Sequence, residues 1–111
     1  MIIYNKLIRD KIPQIIEFTG KEYEVKVLDD EEYLEMLNLK LQEELDEYNS
    51  ASEEEMVSEL ADLVEVVYGV LKHKGVSIED FEKVRLKKRE ERGSFDKKLM
   101  LVKVWENGKI E

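Results

Sequence analysis

Two pairs of carboxylates on neighbouring predicted helices are the residues best suited to chemistry in this chain. Glu44 and Glu47 are three positions apart, and so are Glu59 and Asp62. Residues with this spacing lie on the same side of a helix, one turn from each other. If the two helices are antiparallel and joined by a short connection, both pairs lie at the connected end. The spacing therefore predicts that four carboxylates converge.

Converging carboxylates of this kind predict a metal site. Like charges about 4 to 6 Å apart disfavour joint ionisation unless a cation is bound. Hard oxygen ligands favour Mg²⁺, with Mn²⁺ possible in its place. Such an ion keeps several waters and meets substrate phosphates, so the natural use is hydrolysis of a phosphoanhydride by an activated water molecule. The predicted metal ligands, which are also the predicted catalytic residues, are Glu44, Glu47, Glu59 and Asp62.

A solvated acidic surface is the simpler interpretation of the same residues. Glutamates at three- and four-residue spacing are common on exposed helix faces. Two features favour a site: the second pair on the next helix, and the line that Glu59 and Asp62 share with the apolar Val66 and Val70. Glu43 points largely away from the apolar side of its helix, so it is the weaker candidate.

Basic residues form a second group with possible chemistry. They occur near the start of the chain and on the last predicted helix, and an arginine fork fits phosphate oxygens well. Charge balance in an acidic protein explains them equally well. These residues are Lys6, Arg9, Lys11, Lys83, Lys87, Lys88, Arg89 and Arg92.

Composition limits the classes of function. The formal net charge is -9 over 111 residues, which disfavours binding to nucleic-acid polymers. Because there is no cysteine, disulfides and thiolate sites are excluded. No apolar run is long enough for a membrane span and no signal-peptide pattern is present, so a cytoplasmic protein is expected. Residues 1–111 are expected to form a single domain.

The elements that would position these residues are mainly helices. A short helix is predicted over residues 12–18, two long amphipathic helices over about 31–48 and 53–74, and a fourth from Ser77 to about Arg92. Alternating residues predict strands at 22–28 and within 97–105, which could pair into a small β element. The side chains predicted to face inward on the two long helices are Leu34, Leu37, Leu41, Leu45, Tyr48, Met56, Leu60, Leu63, Val64, Val67 and Leu71.

Four segments also carry a family resemblance. They are Y-N-K-L-I-R-D-K-I-P at 4–13, K-L-Q-E-E-L-D-E at 40–47, E-L-A-D at 59–62, and R-G-S-F at 92–95 preceded by Lys88. With these segments the chain resembles the MazG-like and phosphoribosyl-ATP pyrophosphohydrolase-like proteins. The resemblance implies a mainly α, all-α NTP pyrophosphatase-like helical bundle. The family's closing motif often reads R-G-G-F, so Ser94 departs from it.

The resemblance also implies a function. It places Mg²⁺ on Glu44, Glu47, Glu59 and Asp62, and it implies hydrolysis of a (d)NTP, often a noncanonical one, to a monophosphate and pyrophosphate. It further implies a homodimer or homotetramer. By position, the residues expected to hold substrate phosphates are Lys6, Arg9, Lys88 and Arg92.

Two other functions remain open. The first is phosphoribosyl-ATP pyrophosphatase of histidine biosynthesis, which ranks lower because the stretch at 4–13 resembles a stand-alone group. The second is a non-catalytic helical interaction module, in which the acidic pairs only keep the surface soluble.

Overall fold

Four α-helices make up the regular structure of the computed structural model, which describes residues 1–105. They are α1 (Ile12–Phe18), α2 (Asp30–Ser50), α3 (Met56–His73) and α4 (Ile78–Arg92). The chain separates into two compact units, one of Met1–Ile78 and the other beginning at Glu79. A single domain over 1–111 stays a prediction. None of the helices within the described residues is both long and apolar enough to span a membrane.

Helices α2 and α3 pack against each other as an antiparallel pair. At one end the ring of Tyr33 meets the ring of His73 edge-on, with centroids 5.5 Å apart. The core between them is small: Leu37 is 3% exposed and Val66 is 9% exposed. A Cβ on Gly69 would lie 3.1 Å from Cδ2 of Leu37, so a larger residue at this position would require the Leu37 side chain to shift.

Local signals explain where these helices begin and end. Asp29 caps α2, and its Oδ1 accepts a hydrogen bond of 2.8 Å from the backbone N–H of Glu32. After α3, Gly75 adopts a φ of 76°, which places the N–H of Val76 2.9 Å from the carbonyl of Leu71. The predicted helices are therefore confirmed, except that α3 begins at Met56 because residues 53–55 form a turn.

The predicted β element is not confirmed. Neither 22–28 nor 97–105 is a strand in the described part of the chain. Val25 is 52% exposed and Val27 is 98% exposed, so the apolar side of the first segment covers no core within its own unit. Alternation indicates which side chains share a face, whereas a strand also needs a partner for its backbone groups. The alternation of residues in the sequence does not show whether such a partner exists.

Part of the predicted core is also exposed. Leu45, Leu60 and Val64 were predicted to face inward, but they are 40%, 38% and 44% exposed. The apolar surface of α3 is wider than the strip that α2 covers, because one helix can cover only one side of another. The uncovered side forms an apolar groove lined mainly by Val57, Leu60, Ala61, Val64 and Tyr68.

Candidate metal and phosphate site

The carboxylates of α2 and α3 form two groups that share Glu44. In the first group, Glu44, Glu59 and Asp62 each offer an oxygen, and these oxygens lie within 4.8 Å of one another. In the second group, the same limit holds for Glu43, Glu44 and Glu47. The structure therefore brings three of the four predicted ligands together directly. It connects the fourth, Glu47, to them through Glu44.

Glu44 is the buried centre of the cluster. Its side chain comes from the α2 side that faces α3, and the residue is only 5% exposed. Oε2 of Glu44 and Oε2 of Glu59 are both buried and have no hydrogen-bond partner among the described residues. A buried anionic oxygen without a partner costs free energy that a bound cation offsets. The donor set, all carboxylate oxygens, fits a hard divalent ion such as Mg²⁺ or Mn²⁺.

The electrostatics of Glu44 agree with its burial. Burial raises the pKa of the Glu44 carboxyl group above its usual value, and the negative charge of Glu47 raises it further. The ammonium of Lys40 acts in the opposite direction. A second positive charge placed near Glu44 would therefore stabilise the ionised carboxylate, which is the form that binds a metal.

Lys40 is a member of the site that the sequence analysis did not single out. Its side chain is only 16% exposed, and its Nζ lies 3.4 Å from Oε1 of Glu44 and 3.5 Å from Oε2 of Glu43. Glu43, the weaker candidate by its helix position, thus joins the cluster. The available signal was the spacing of three and four residues that places Lys40 beside both glutamates on α2.

The basic residues near the start of the chain also lie at the carboxylates. Nζ of Lys6 is 3.7 Å from Oε1 of Glu43 on α2. Nη2 of Arg9 donates a hydrogen bond of 2.8 Å to Oδ1 of Asp62 on α3. Both residues were predicted to hold substrate phosphates, and both stand beside a carboxylate of the cluster. A phosphate bound at this cluster would have two cations at hand.

Lys88 and Arg92, the other two predicted phosphate ligands, lie on α4. This helix belongs almost wholly to the second unit, and both residues are exposed. Their assignment to substrate phosphates stays a prediction.

Comparison with protein-family models supplies the family. Residues 4–90 match the model described as phosphoribosyl-ATP pyrophosphohydrolase, and this range contains the whole α2–α3 pair with its carboxylates. The chain belongs to the phosphoribosyl-ATP pyrophosphohydrolase family. Membership makes it a pyrophosphohydrolase of the MazG-like superfamily, as the resemblance predicted. Lys6, Arg9 and Lys88 fall inside the matched range, whereas Arg92 lies beyond it. Comparisons with curated proteins and with solved structures gave no match.

Proposed function

We propose that the protein hydrolyses the α–β phosphoanhydride of a nucleoside or deoxynucleoside triphosphate, in a Mg²⁺-dependent reaction that gives a monophosphate and pyrophosphate. Family membership supports the reaction class. The observation that carries the site is the buried, unpartnered Oε2 of Glu44 beside Glu59 and Asp62. An acidic cluster that only kept the surface soluble would not bury its central carboxylate.

The roles of the chain's residues follow from their burial. Glu44, Glu59 and Asp62 would hold the ion, which supplies charge neutralisation on the phosphate oxygens and on the leaving pyrophosphate. Glu47, predicted as the fourth ligand, is exposed at the edge of the cluster, and its proposed role there is to take a proton from the attacking water. The water oxygen bonds to the α-phosphorus, the bond from that phosphorus to the bridging oxygen breaks, and pyrophosphate leaves with the electron pair.

Phosphoribosyl-ATP is the second candidate substrate, and the description of the matching family favours it. It carries the same triphosphate, so the chemistry at the cluster would be unchanged. The two candidates differ only in what lies beyond the phosphates.

A second copy of the chain is the proposed partner, as a homodimer or a homotetramer. Only Leu37 and Val66 are buried apolar residues in the described chain, which is too small a core for about 100 residues to be stable alone. The apolar groove on α3 is the surface we expect a second copy to cover. Sedimentation of the wild type and of Val64→Lys checks this: the wild type should be oligomeric and the variant should dissociate. A stable wild-type monomer would contradict it.

The deciding experiment measures Mg²⁺-dependent release of pyrophosphate from a panel of substrates. The panel holds standard, deoxy and damaged nucleoside triphosphates together with phosphoribosyl-ATP. Glu47→Gln should lose the activity, whereas Glu35→Gln, an exposed glutamate on the same helix, should keep it. Preference for phosphoribosyl-ATP would establish the second candidate. No release from any member of the panel would contradict hydrolysis altogether and leave a non-catalytic interaction module.

A further inference from the structure

Arg9 joins the start of the chain to α3 through a single exposed ion pair. Its guanidinium donates to Oδ1 of Asp62 across a separation of 53 residues, and the side chains of Arg9 and Asp62 are 55% and 41% exposed. Asp62 is also one of the three carboxylates in the group with Glu44 and Glu59. The same carboxylate therefore serves both Arg9 and the candidate metal group.

The backbone of Arg9 is held by local contacts, whereas its side chain is more than half exposed. The carbonyl of Arg9 accepts a hydrogen bond of 3.1 Å from the N–H of Ile12, the first residue of α1. The preceding Leu7 and Ile8 are half-buried, so this stretch is anchored on both sides of Arg9. A change of partner for the guanidinium then needs only rotation about its side-chain bonds, without movement of the chain.

The strength of the pair suits an exchange of partners. Exposed ion pairs contribute little to stability, because water screens them and two long side chains must be ordered. A divalent ion that takes up the charge of Asp62 weakens the attraction for Arg9. A phosphate group at the same cluster offers the guanidinium more charge and a bidentate partner. Arg9 thus has a weak partner in Asp62 and a stronger one in any nucleotide bound there.

We propose that Arg9 exchanges Asp62 for a substrate phosphate, so that one side chain couples metal binding to nucleotide binding. This inference rests on the proposed function and adds a regulation of its site. Before nucleotide binds, Arg9 competes with the divalent ion for Asp62 and keeps metal affinity low. When nucleotide binds, Arg9 moves to a phosphate and leaves Asp62 to the ion. The two ligands consequently bind with positive coupling.

The test is a pair of binding titrations on the full chain, with no turnover involved. The first measures Mn²⁺ affinity of the nucleotide-free protein by electron paramagnetic resonance of free Mn²⁺. The second measures affinity for a triphosphate analogue with a non-hydrolysable α–β bridge, in the presence of Mn²⁺. The proteins are the wild type, Arg9→Ala, Glu44→Gln and Lys11→Ala. Lys11 is the matched control, because it is an exposed cation two positions further along.

The expected result is that Arg9→Ala changes the affinities for Mn²⁺ and for the nucleotide analogue in opposite directions. Arg9→Ala should bind Mn²⁺ roughly 2- to 5-fold more tightly, the range set by an exposed ion pair. It should bind the analogue at least about 10-fold more weakly, since a charge-assisted hydrogen bond is lost. Lys11→Ala should change neither affinity by more than about twofold, because Lys11 is exposed and an exposed charge without a direct contact to the cluster is largely screened.

Other outcomes overturn the proposal in distinguishable ways. If Arg9→Ala weakens or does not change Mn²⁺ binding, Arg9 orients Asp62 or only supports the fold, and the exchange is wrong. Equal effects of Arg9→Ala and Lys11→Ala would mean that Arg9 acts only through its net charge, and this outcome would also overturn the proposal. If Glu44→Gln leaves Mn²⁺ affinity unchanged, the metal site of the proposed function fails, and the exchange fails with it.

Discussion

The surroundings of two glutamates in this protein change the pKa of their carboxyl groups in opposite directions. Glu44, between α2 and α3, has its pKa raised, chiefly because it is buried. Glu82, on α4, has its pKa lowered, chiefly because Arg85 donates a hydrogen bond to it from three residues away. The carboxylate of Glu82 is satisfied within one turn of its own helix. The Oε2 atom of Glu44 finds no partner within the described residues.

The difference shows why α2 and α3 carry the candidate site. On α4, two acidic residues pair with a basic residue of the same helix: Oε1 of Glu79 lies 4.0 Å from Nζ of Lys83, and Oε2 of Glu82 lies 2.7 Å from Nη2 of Arg85. Both pairs are exposed, so their carboxylates also remain in contact with water. Where two helices pack, a carboxylate is instead withdrawn from water: Lys40 contacts Oε1 of Glu44, whereas the buried Oε2 has no partner among the described residues and gains most from an added cation. Four tests address this comparison.

The largest expected effect is the loss of turnover in Glu44→Gln or Asp62→Asn. Metal-assisted charge stabilisation is worth several kcal/mol, so pyrophosphate release should fall by roughly 10²-fold or more. Folding should be retained, because removal of one like charge relieves repulsion in the cluster. Circular dichroism checks the helices, and Glu35→Gln is the matched control on the exposed side of α2. Full hydrolysis by either variant would show that the ligands are wrongly assigned.

The next largest effect is on the free energy of unfolding, and two leucines on α2 allow a matched comparison. Leu37 is 3% exposed between the helices and Leu39 is 62% exposed. Leu37→Ala should lower the free energy of unfolding by about 2 to 5 kcal/mol. Leu39→Ala should change it by less than about 0.5 kcal/mol. Urea unfolding measures both. Equal losses would mean that a second copy of the chain covers Leu39.

A smaller effect tests whether α4 has a functional cation. If Arg92 meets a substrate phosphate, Arg92→Ala should raise KM by about 10-fold, since a charge-assisted hydrogen bond is lost. Metal binding should stay intact. Lys87→Ala, an exposed cation on the same helix, is the control and should leave KM unchanged. Unchanged kinetics in both variants would mean that these cations of α4 do not bind substrate. The candidate site would then be confined to α2, α3 and the start of the chain.

The smallest effect is a dependence of stability on pH that originates at Glu44. Because its folded pKa is raised, the folded state holds a proton that the unfolded state has already released. The unfolding free energy of the wild type should therefore fall as pH rises from the usual glutamate pKa to the raised one.

Glu44→Gln isolates this contribution, since the glutamine does not titrate. Urea unfolding is measured at a series of pH values in a chelating buffer. Across that pH window, the free energy of unfolding of the variant should rise relative to that of the wild type. Mg²⁺ should then restore stability to the wild type and not to the variant. A pH-independent difference between the two proteins would mean that Glu44 is not a buried titrating group.

The helices and the carboxylate spacing could be predicted because their signals are local. Asp29 and Gly75 mark helix ends through bonds to residues a few positions away, and the three-residue spacing of Glu59 and Asp62 sets their common side. Val66 lies on the same line but was outside the set predicted to face inward, and it is the buried apolar residue of α3.

Features that depend on which surfaces meet could not be predicted. Lys40 and Glu43 stand beside Glu44 through their spacing on α2, but the burial of Glu44 depends on the packing of α2 on α3. Leu60 and Val64 were predicted to be inward, but α2 does not cover them. The expected strands failed for the same reason, since pairing depends on a distant segment.

Arg9 shows where prediction from the sequence ends and where the tertiary structure is needed. The sequence alone determined that a cation stands near the start of the chain and that four carboxylates occupy two helices, because residue type and helical period are properties of short segments. Only the tertiary structure decided that this cation contacts Asp62 and that Glu44 is the buried member. Those outcomes depend on contacts between segments that are distant in the sequence, because the packing of α2 on α3 and the ion pair from the start of the chain are not properties of any short segment.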